Sequence, residues 1–245
     1  MNKYIYKNKS TLLRFKRIFN SFFKIEITKY PTDVLTRRIA LLNHNKINVI
    51  IDIGANIGQY GSEMRNLGFK GEIISFEPIK EAYQKLEKIA SKDKNWKTYN
   101  FSIGERDGQT DINIAQNSVS SSLLKNLPQL TESEPKARYI KKEKVEIRKL
   151  DSLLDELNIV NKNVYLKIDT QGYEEMVILG AEKTLNFIKG IQIEMAFNPS
   201  YEGAITYKEM KSKLKNIGFN LHALENGFYD KKTGEQLEVD GIFYK

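Results

Sequence analysis

Residues 48–61 read NVIIDIGANIGQYG, and the reading of this stretch decides the fold. The run 48–53 is rich in β-branched apolar residues and carries one charge, the pattern of a central strand in a parallel sheet covered on both faces. It passes without a linker into glycines at 54 and 58, which let the backbone turn sharply and approach a ligand with no Cβ in the way. Gly61 falls inside the helix that follows, where a missing side chain allows helix and strand to pack closely. A strand, a glycine turn and a helix in that order open a doubly wound sheet, whose ligands settle beyond the carboxyl ends of its strands.

Working outward, strand-like runs occur at 72–76 (EIISF), 96–101 (WKTYNF), 164–168 (VYLKI) and 191–195 (IQIEM). Helical periodicity at 32–42, 59–67, 80–91 and 173–187 fills the intervals. After a helix over 205–217 come two more strand-like pieces, 219–224 and 241–244. The loop between them, which contains DKKTG at 230–234, has no room for a crossover helix, so the last pair is expected to be an antiparallel hairpin. The fold class is therefore α/β: a three-layer, Rossmann-like arrangement around a mostly parallel sheet with an antiparallel C-terminal hairpin. Residues 115–144 break the alternation with Ser118, Ser120, Ser121, Ser122, two prolines and mixed charges. They are expected to form a lid or specificity loop without regular structure.

The 245 residues suffice for one large domain, and hydrophobic (40%) and charged (29%) fractions are those of a globular protein. The absence of cysteine excludes a disulfide scaffold, a thiolate zinc site, an iron–sulfur cluster and a cysteine nucleophile. His44 and His222 are the only imidazoles, which excludes a multi-histidine metal centre. No apolar run approaches the ~20 residues of a membrane span, and a cytoplasmic location is expected.

Charge divides the chain. Residues 1–30 hold eight basic side chains and one acid, so this arm contributes +7 of the whole chain's +8 and residues 31–245 only +1. Leu12, Phe15, Phe19, Phe22 and Phe23 share one helical stripe, with Arg14, Arg17 and Lys24 facing away. Three readings stay open for this amphipathic arm. It lies on an anionic membrane surface, binds nucleic-acid phosphates, or packs its stripe on the domain formed by residues 31–245.

The second strand ends in Phe76-Glu77-Pro78, with an acid 23 residues beyond Gly54. A carboxylate there accepts the two ribose hydroxyls of an adenosine. A nicotinamide site expects G-x-G-x-x-G, but Asn56 occupies the middle glycine position and Asp52 opens the loop. A carboxylate at that point suits an ammonium better than a pyrophosphate, and S-adenosyl-L-methionine carries one. An NAD-type oxidoreductase with a divergent glycine loop is the alternative.

IIDIGANIGQYG, FEP and LKIDTQGYEEMVILGAE, with LDSLL, IQIEMAFNPSYEG and the terminal LEVDGIFYK, resemble the FkbM-type methyltransferases, a branch of the class I S-adenosylmethionine-dependent superfamily. The resemblance covers about residues 46–245 and leaves the arm unmatched. It implies a seven-stranded sheet ordered 3-2-1-4-5-7-6 with strand 7 antiparallel. It also implies O-methylation of a hydroxyl on a sugar, glycan or polyketide-type metabolite. By the same resemblance Asp52, Gly54, Asn56 and Gly58 line the methionine end of the cofactor, Glu77 takes the ribose hydroxyls and Ser102 sits by the adenine.

Methyl transfer to a hydroxyl needs alignment of the reacting atoms and a group to remove the proton. Acids ending the fourth and fifth strands, Asp169 and Glu194, are the candidates, with Lys167 on the same side of its strand as Asp169. A capping role for Asp169 at the helix starting near Gly172 is the structural alternative. Two carboxylates with no third ligand make no case for a metal. Asn198-Pro199-Ser200-Tyr201 resembles the N-P-P-Y signature of amino-group methyltransferases acting on nucleic acid, but it follows the fifth strand rather than the fourth. A flipped base would also want a basic channel, which a body of charge +1 does not offer. Nucleic acid is thus an unfavoured partner, and Asn198 and Tyr201 remain as contacts to a small-molecule or glycan acceptor.

Overall fold

The computed structural model describes residues 3–26 and 28–245, the side chains of residues 3–10 and Leu12 excepted. It divides into two compact units, Met1–Arg38 and Ile39–Lys245, where charge alone had placed the boundary at residue 30. The first unit holds helix α1 (Lys3–Phe23) and the opening turns of α2 (Asp33–His44). Of the apolar stripe on α1, Phe15, Phe19, Phe22 and Phe23 are exposed, as are Leu13 and Ile18. The side chains of Leu12, Lys3, Lys7 and Lys9 lie outside the described residues.

In the second unit the order after α2 is β1 (Val49–Ile53), α3 (Gln59–Asn66), β2 (Glu72–Phe76), α4 (Lys80–Ala90), β3 (Trp96–Tyr99), β4 (Ser102–Ile103) and β5 (Gly108–Ala115). Then come α5 (Pro128–Ser133), β6 (Tyr139–Arg148), α6 (Leu154–Leu157), β7 (Val164–Ile168), α7 (Glu174–Leu179), β8 (Ile188–Ala196), α8 (Tyr207–Asn216), β9 (Asn220–Asn226) and β10 (Glu238–Tyr244). Seven strands form one sheet in the order β3-β2-β1-β7-β8-β10-β9, with β10 antiparallel to both neighbours. Counted within that sheet, this is 3-2-1-4-5-7-6. All five residues of β1 and of β7 are buried, as expected of strands covered on both faces.

The two faces carry separate cores. Ile51, Ile53, Leu166, Ile168 and Ile193 face a cluster completed by Leu153, Val177, Met210 and Leu214 from the chain between β6 and β9. Ile50, Ile73 and Tyr165 face Leu42, Met64 and Leu86 of α2, α3 and α4. The glycine-for-packing expectation at Gly61 has a direct cause. A Cβ there would lie 2.2 Å from the Trp96 ring.

Residues 115–144 depart from the expectation of an irregular lid. They run from the end of β5 through α5 into β6, and β4-β6-β5 make a second, three-stranded sheet. The strands escaped pattern reading because β6 reads YIKKEKVEIR and only Val145 and Ile147 are buried in it. Half-buried strands with charged outer faces look like loops. The serines that suggested a loop are buried at Ser120, Ser121 and Ser122. The helix expected over 173–187 is also shorter, since α7 ends at Leu179 and a separate 3-10 turn covers Thr184–Phe187. Among the described residues, no helix is long and apolar enough to cross a membrane.

Candidate active site

Strand order reverses between β1, which leads outward to β2 and β3, and β7, which leads to β8, so the crevice beyond their carboxyl ends is the place for a ligand. Two loops meet there. Gly54 has φ +77, and a Cβ on it would lie 1.8 Å from the backbone oxygen of Asp169. Only glycine allows the turn after β1 to touch the turn after β7. Asn56 is left-handed too, with φ +47, a conformation its short amide tolerates better than most side chains do. That geometry aims the Asn56 backbone N–H at Glu77 Oε2, 2.8 Å away, while the Ile79 N–H donates to Oε1 at 2.8 Å. The acid ending β2 therefore braces the glycine loop. Burial pushes Glu77 up to about 7, the two amide bonds opposing it. Gly58, φ +88, is the N-cap of α3.

A polar row crosses the buried sheet beneath these loops. Ser75, Asp52, Lys167 and Gln192 are register neighbours on β2, β1, β7 and β8. The Lys167 ammonium lies 3.3 Å from Asp52 Oδ1 and 3.3 Å from Asp169 Oδ2. Burial alone would lower Lys167, but the carboxylates of Asp169, Asp52 and Asp240 outweigh it and hold the ammonium charged. Burial raises Asp52, with Lys167 pulling it back down. One expectation changes here. Asp52 is wholly inaccessible, and the ammonium it meets is that of Lys167 rather than one on a ligand. Lys167 spends its N–H groups on two carboxylates and, at 3.5 Å, on Gly54 O, so it positions Asp169. Asp169 is the accessible end of this chain, its side chain 37% exposed against 8% for Lys167.

The residue that joins the two expected acids is one the sequence reading passed over. Gln171, held at φ +57, donates from Nε2 to Asp169 Oδ1 (2.9 Å) and to Glu194 Oε2 (2.8 Å). Its Oε1 accepts from the Tyr201 hydroxyl at 2.8 Å. Asp169, Gln171, Glu194 and Tyr201 thus form one hydrogen-bonded chain across the ends of β7 and β8. Asp169 does not cap α7, whose N-cap is Tyr173 without a side-chain bond. Glu174 instead ties the turn, accepting from Thr170 N, Thr170 Oγ and Gly172 N. Burial first, then the charges of Asp169, Glu238 and Glu174, push Glu194 well above the usual carboxylate range. Burial, then the charges of Glu194, Glu238 and Glu174, raise the Tyr201 hydroxyl, which stays a donor.

The segment between β5 and β6 covers this chain. Ser122 Oγ donates to Gln171 O (2.7 Å), Leu127 N to Ser200 O (2.8 Å) and Glu202 N to Lys125 O (2.8 Å). Two expected residues lie apart from it. Asn198 is exposed, beyond the end of β8, and Ser102 is buried at the start of β4 in the second sheet. His222 is exposed on the outer strand β9.

The model of the methyltransferase FkbM domain matches residues 52–221, more than half the chain. The chain belongs to the FkbM methyltransferase family. It is an S-adenosylmethionine-dependent methyltransferase, and its sheet order is that of the class I fold. Among curated proteins it is similar to the 2-O-methyltransferase NoeI of Sinorhizobium fredii, 25% identical over 196 residues that make up 76% of this chain and 80% of the relative. Among solved structures it is similar to a methyltransferase from Thermobifida fusca (12% identity, TM-score 0.49, 86% of this chain and 79% of that one). It is also similar to magnesium protoporphyrin IX methyltransferase from Synechocystis (8% identity, TM-score 0.46, 86% and 78%).

Proposed function

We propose that this FkbM methyltransferase is an O-methyltransferase acting in the cytoplasm on a hydroxyl of a sugar, glycan or related metabolite. The observation that carries the reading is the Gln171 amide, which holds Asp169 and Glu194 together at the ends of adjacent strands, beside the glycine turn. S-adenosylmethionine, when bound, supplies an electrophilic methyl group on a sulfonium. The residues at the crevice fit it. Gly54 lets the turn after β1 close on the turn after β7, and Glu77 would take the ribose hydroxyls, its oxygens each keeping a lone pair beyond the one given to a backbone amide. Gly58 and Asn56 shape the same turn, and Ser102 is assigned to the adenine end.

On the acceptor side, Asp169 is the accessible carboxylate and takes the hydroxyl proton as the new C–O bond forms. Lys167 and Gln171 fix the carboxylate's orientation from opposite oxygens. Glu194, whose hold on a proton burial strengthens, lies beside it and hydrogen-bonds a second oxygen of the acceptor. Tyr201 locks Gln171 in place, and Asn198 meets the outer part of the acceptor. Supporting a neutral, hydroxyl-rich acceptor is the charge of the site itself. The accessible carboxylate of Asp169 repels phosphate and carboxylate, and the Lys167 ammonium beside it is already paired with two carboxylates.

The test is transfer of a labelled methyl group to a panel of neutral saccharides, nucleotide sugars and RNA, with Asp169→Asn alongside. Label on a neutral saccharide hydroxyl that disappears with Asp169→Asn supports the reading. Label on RNA bases, or turnover indifferent to Asp169→Asn, overturns it. Calorimetry showing tighter binding of NAD than of S-adenosylmethionine would do the same.

A further inference from the structure

The N-terminal helix has no part in the chemistry above, and its composition asks for a partner of its own. On α1, at about 100° per residue, Phe15, Ile18, Phe19, Phe22 and Phe23 fall on one side of the helix, with Arg14 and Arg17 on the other. These five apolar side chains are 43–79% exposed, Phe22 the most. The rings pack on each other instead, Phe19 against Phe23 at 4.4 Å between centroids and Phe23 against Phe22 at 5.0 Å. Glu26 is the one acid among residues 1–30, set against eight basic residues.

We infer that α1 is a membrane-surface helix that holds this enzyme on an anionic phospholipid bilayer. Both halves of its surface are accounted for by that one partner. The aromatic face enters the boundary between headgroups and acyl chains, and the cations stay in the layer of lipid phosphates. A nucleic acid would satisfy only the basic half and leave five exposed apolar side chains in water. An apolar partner protein would cover the rings but give no reason for a +7 arm on a body of charge +1. Neither signal alone anchors a protein firmly. Apolar burial and electrostatic attraction together do. The inference goes beyond the methyl-transfer reading and is tested without turnover.

The full-length protein is floated with vesicles of phosphatidylcholine alone and with vesicles containing phosphatidylglycerol. Association with the anionic vesicles is expected to exceed that with the neutral ones at least about tenfold, and to fall as salt is raised to about 0.5 M. The double variant Phe15→Ser/Phe22→Ser is expected to stay in solution, and Arg14→Glu/Arg17→Glu to bind about tenfold more weakly. Unchanged calorimetric binding of S-adenosylmethionine in both variants shows that the body is folded. Equal binding to neutral and anionic vesicles overturns the inference, as does an aromatic double variant that floats like the parent. So does tight binding of labelled RNA with no vesicle binding, or a concentration-dependent dimer that Phe15→Ser/Phe22→Ser abolishes while vesicles are ignored.

Discussion

The two sides of the crevice are built from different materials. On the β1–β2 side, the contacts are made by backbone: a glycine turn, a left-handed asparagine and two amides closing on Glu77. On the β7–β8 side they are made by side chains, Asp169 to Gln171 to Glu194 with Tyr201 behind, roofed by the segment between β5 and β6. Backbone geometry holds a ligand common to a whole superfamily, because it depends on turn shape and little on side-chain identity. A side-chain chain is easier to retune, which suits the half proposed to select the acceptor.

Substitutions can separate the halves. The largest effect is expected from Gly54→Ala, which puts a Cβ 1.8 Å from Asp169 O at φ +77. Affinity for S-adenosylmethionine should fall at least about a hundredfold in calorimetry, since backbone must move to relieve the clash. Normal cofactor binding in this variant would break the comparison at its root. Next, Asp169→Asn should lower kcat by about 10²–10⁴, leaving cofactor affinity within about threefold. An equal loss of both would mean that Asp169 belongs to the cofactor half. Gln171→Leu, which removes three hydrogen bonds without changing bulk, should cost about ten- to a hundredfold in kcat, and Tyr201→Phe about three- to tenfold. A double-mutant cycle should find the two strongly coupled, and additivity would show that they act separately.

The smallest effect is a pH dependence of stability. Burial raises Glu77, Glu174 and Glu238 from the usual 4.5 to about 7. Acids raised in the folded state bind protons the unfolded chain has released, so their contribution is full below pH 4.5 and lost as pH climbs through 7. Carboxylates lowered by ion pairs, such as Glu72 and Asp93, titrate below this window and do not mask it. Thermal melts should therefore give a higher Tm at pH 6 than at pH 8, and Glu238→Gln should flatten the difference. A Tm that rises over that range would mean that the three groups are ionised in the folded protein.

The main sheet was legible because its signals are local. A β-branched run such as VIIDI that leads straight into a glycine turn reads as a buried strand, and the spacing between the last two strands left no length for a crossover. The second sheet was not, because β6 buries only Val145 and Ile147 and exposes three lysines, while β5 opens on exposed polar residues. The site divides the same way. Gly54 and Glu77 announce themselves by position after a strand, whereas Gln171 looks like an ordinary turn residue in DTQGYE. Its place two residues after a strand-end acid and next to a glycine was the available signal. What made it matter, Glu194 twenty-three residues on and Tyr201 thirty, was not.

Sequence alone thus determined the layered sheet, the glycine turn, the family resemblance and the division of charge between arm and body. All of these follow from neighbours along the chain, where periodicity and turn chemistry act. Tertiary structure alone decided that Asp52 is spent on Lys167, that Glu77 braces the loop and that one amide unites two acids. Those facts depend on which strands lie side by side, and on how far water is kept from the groups between them.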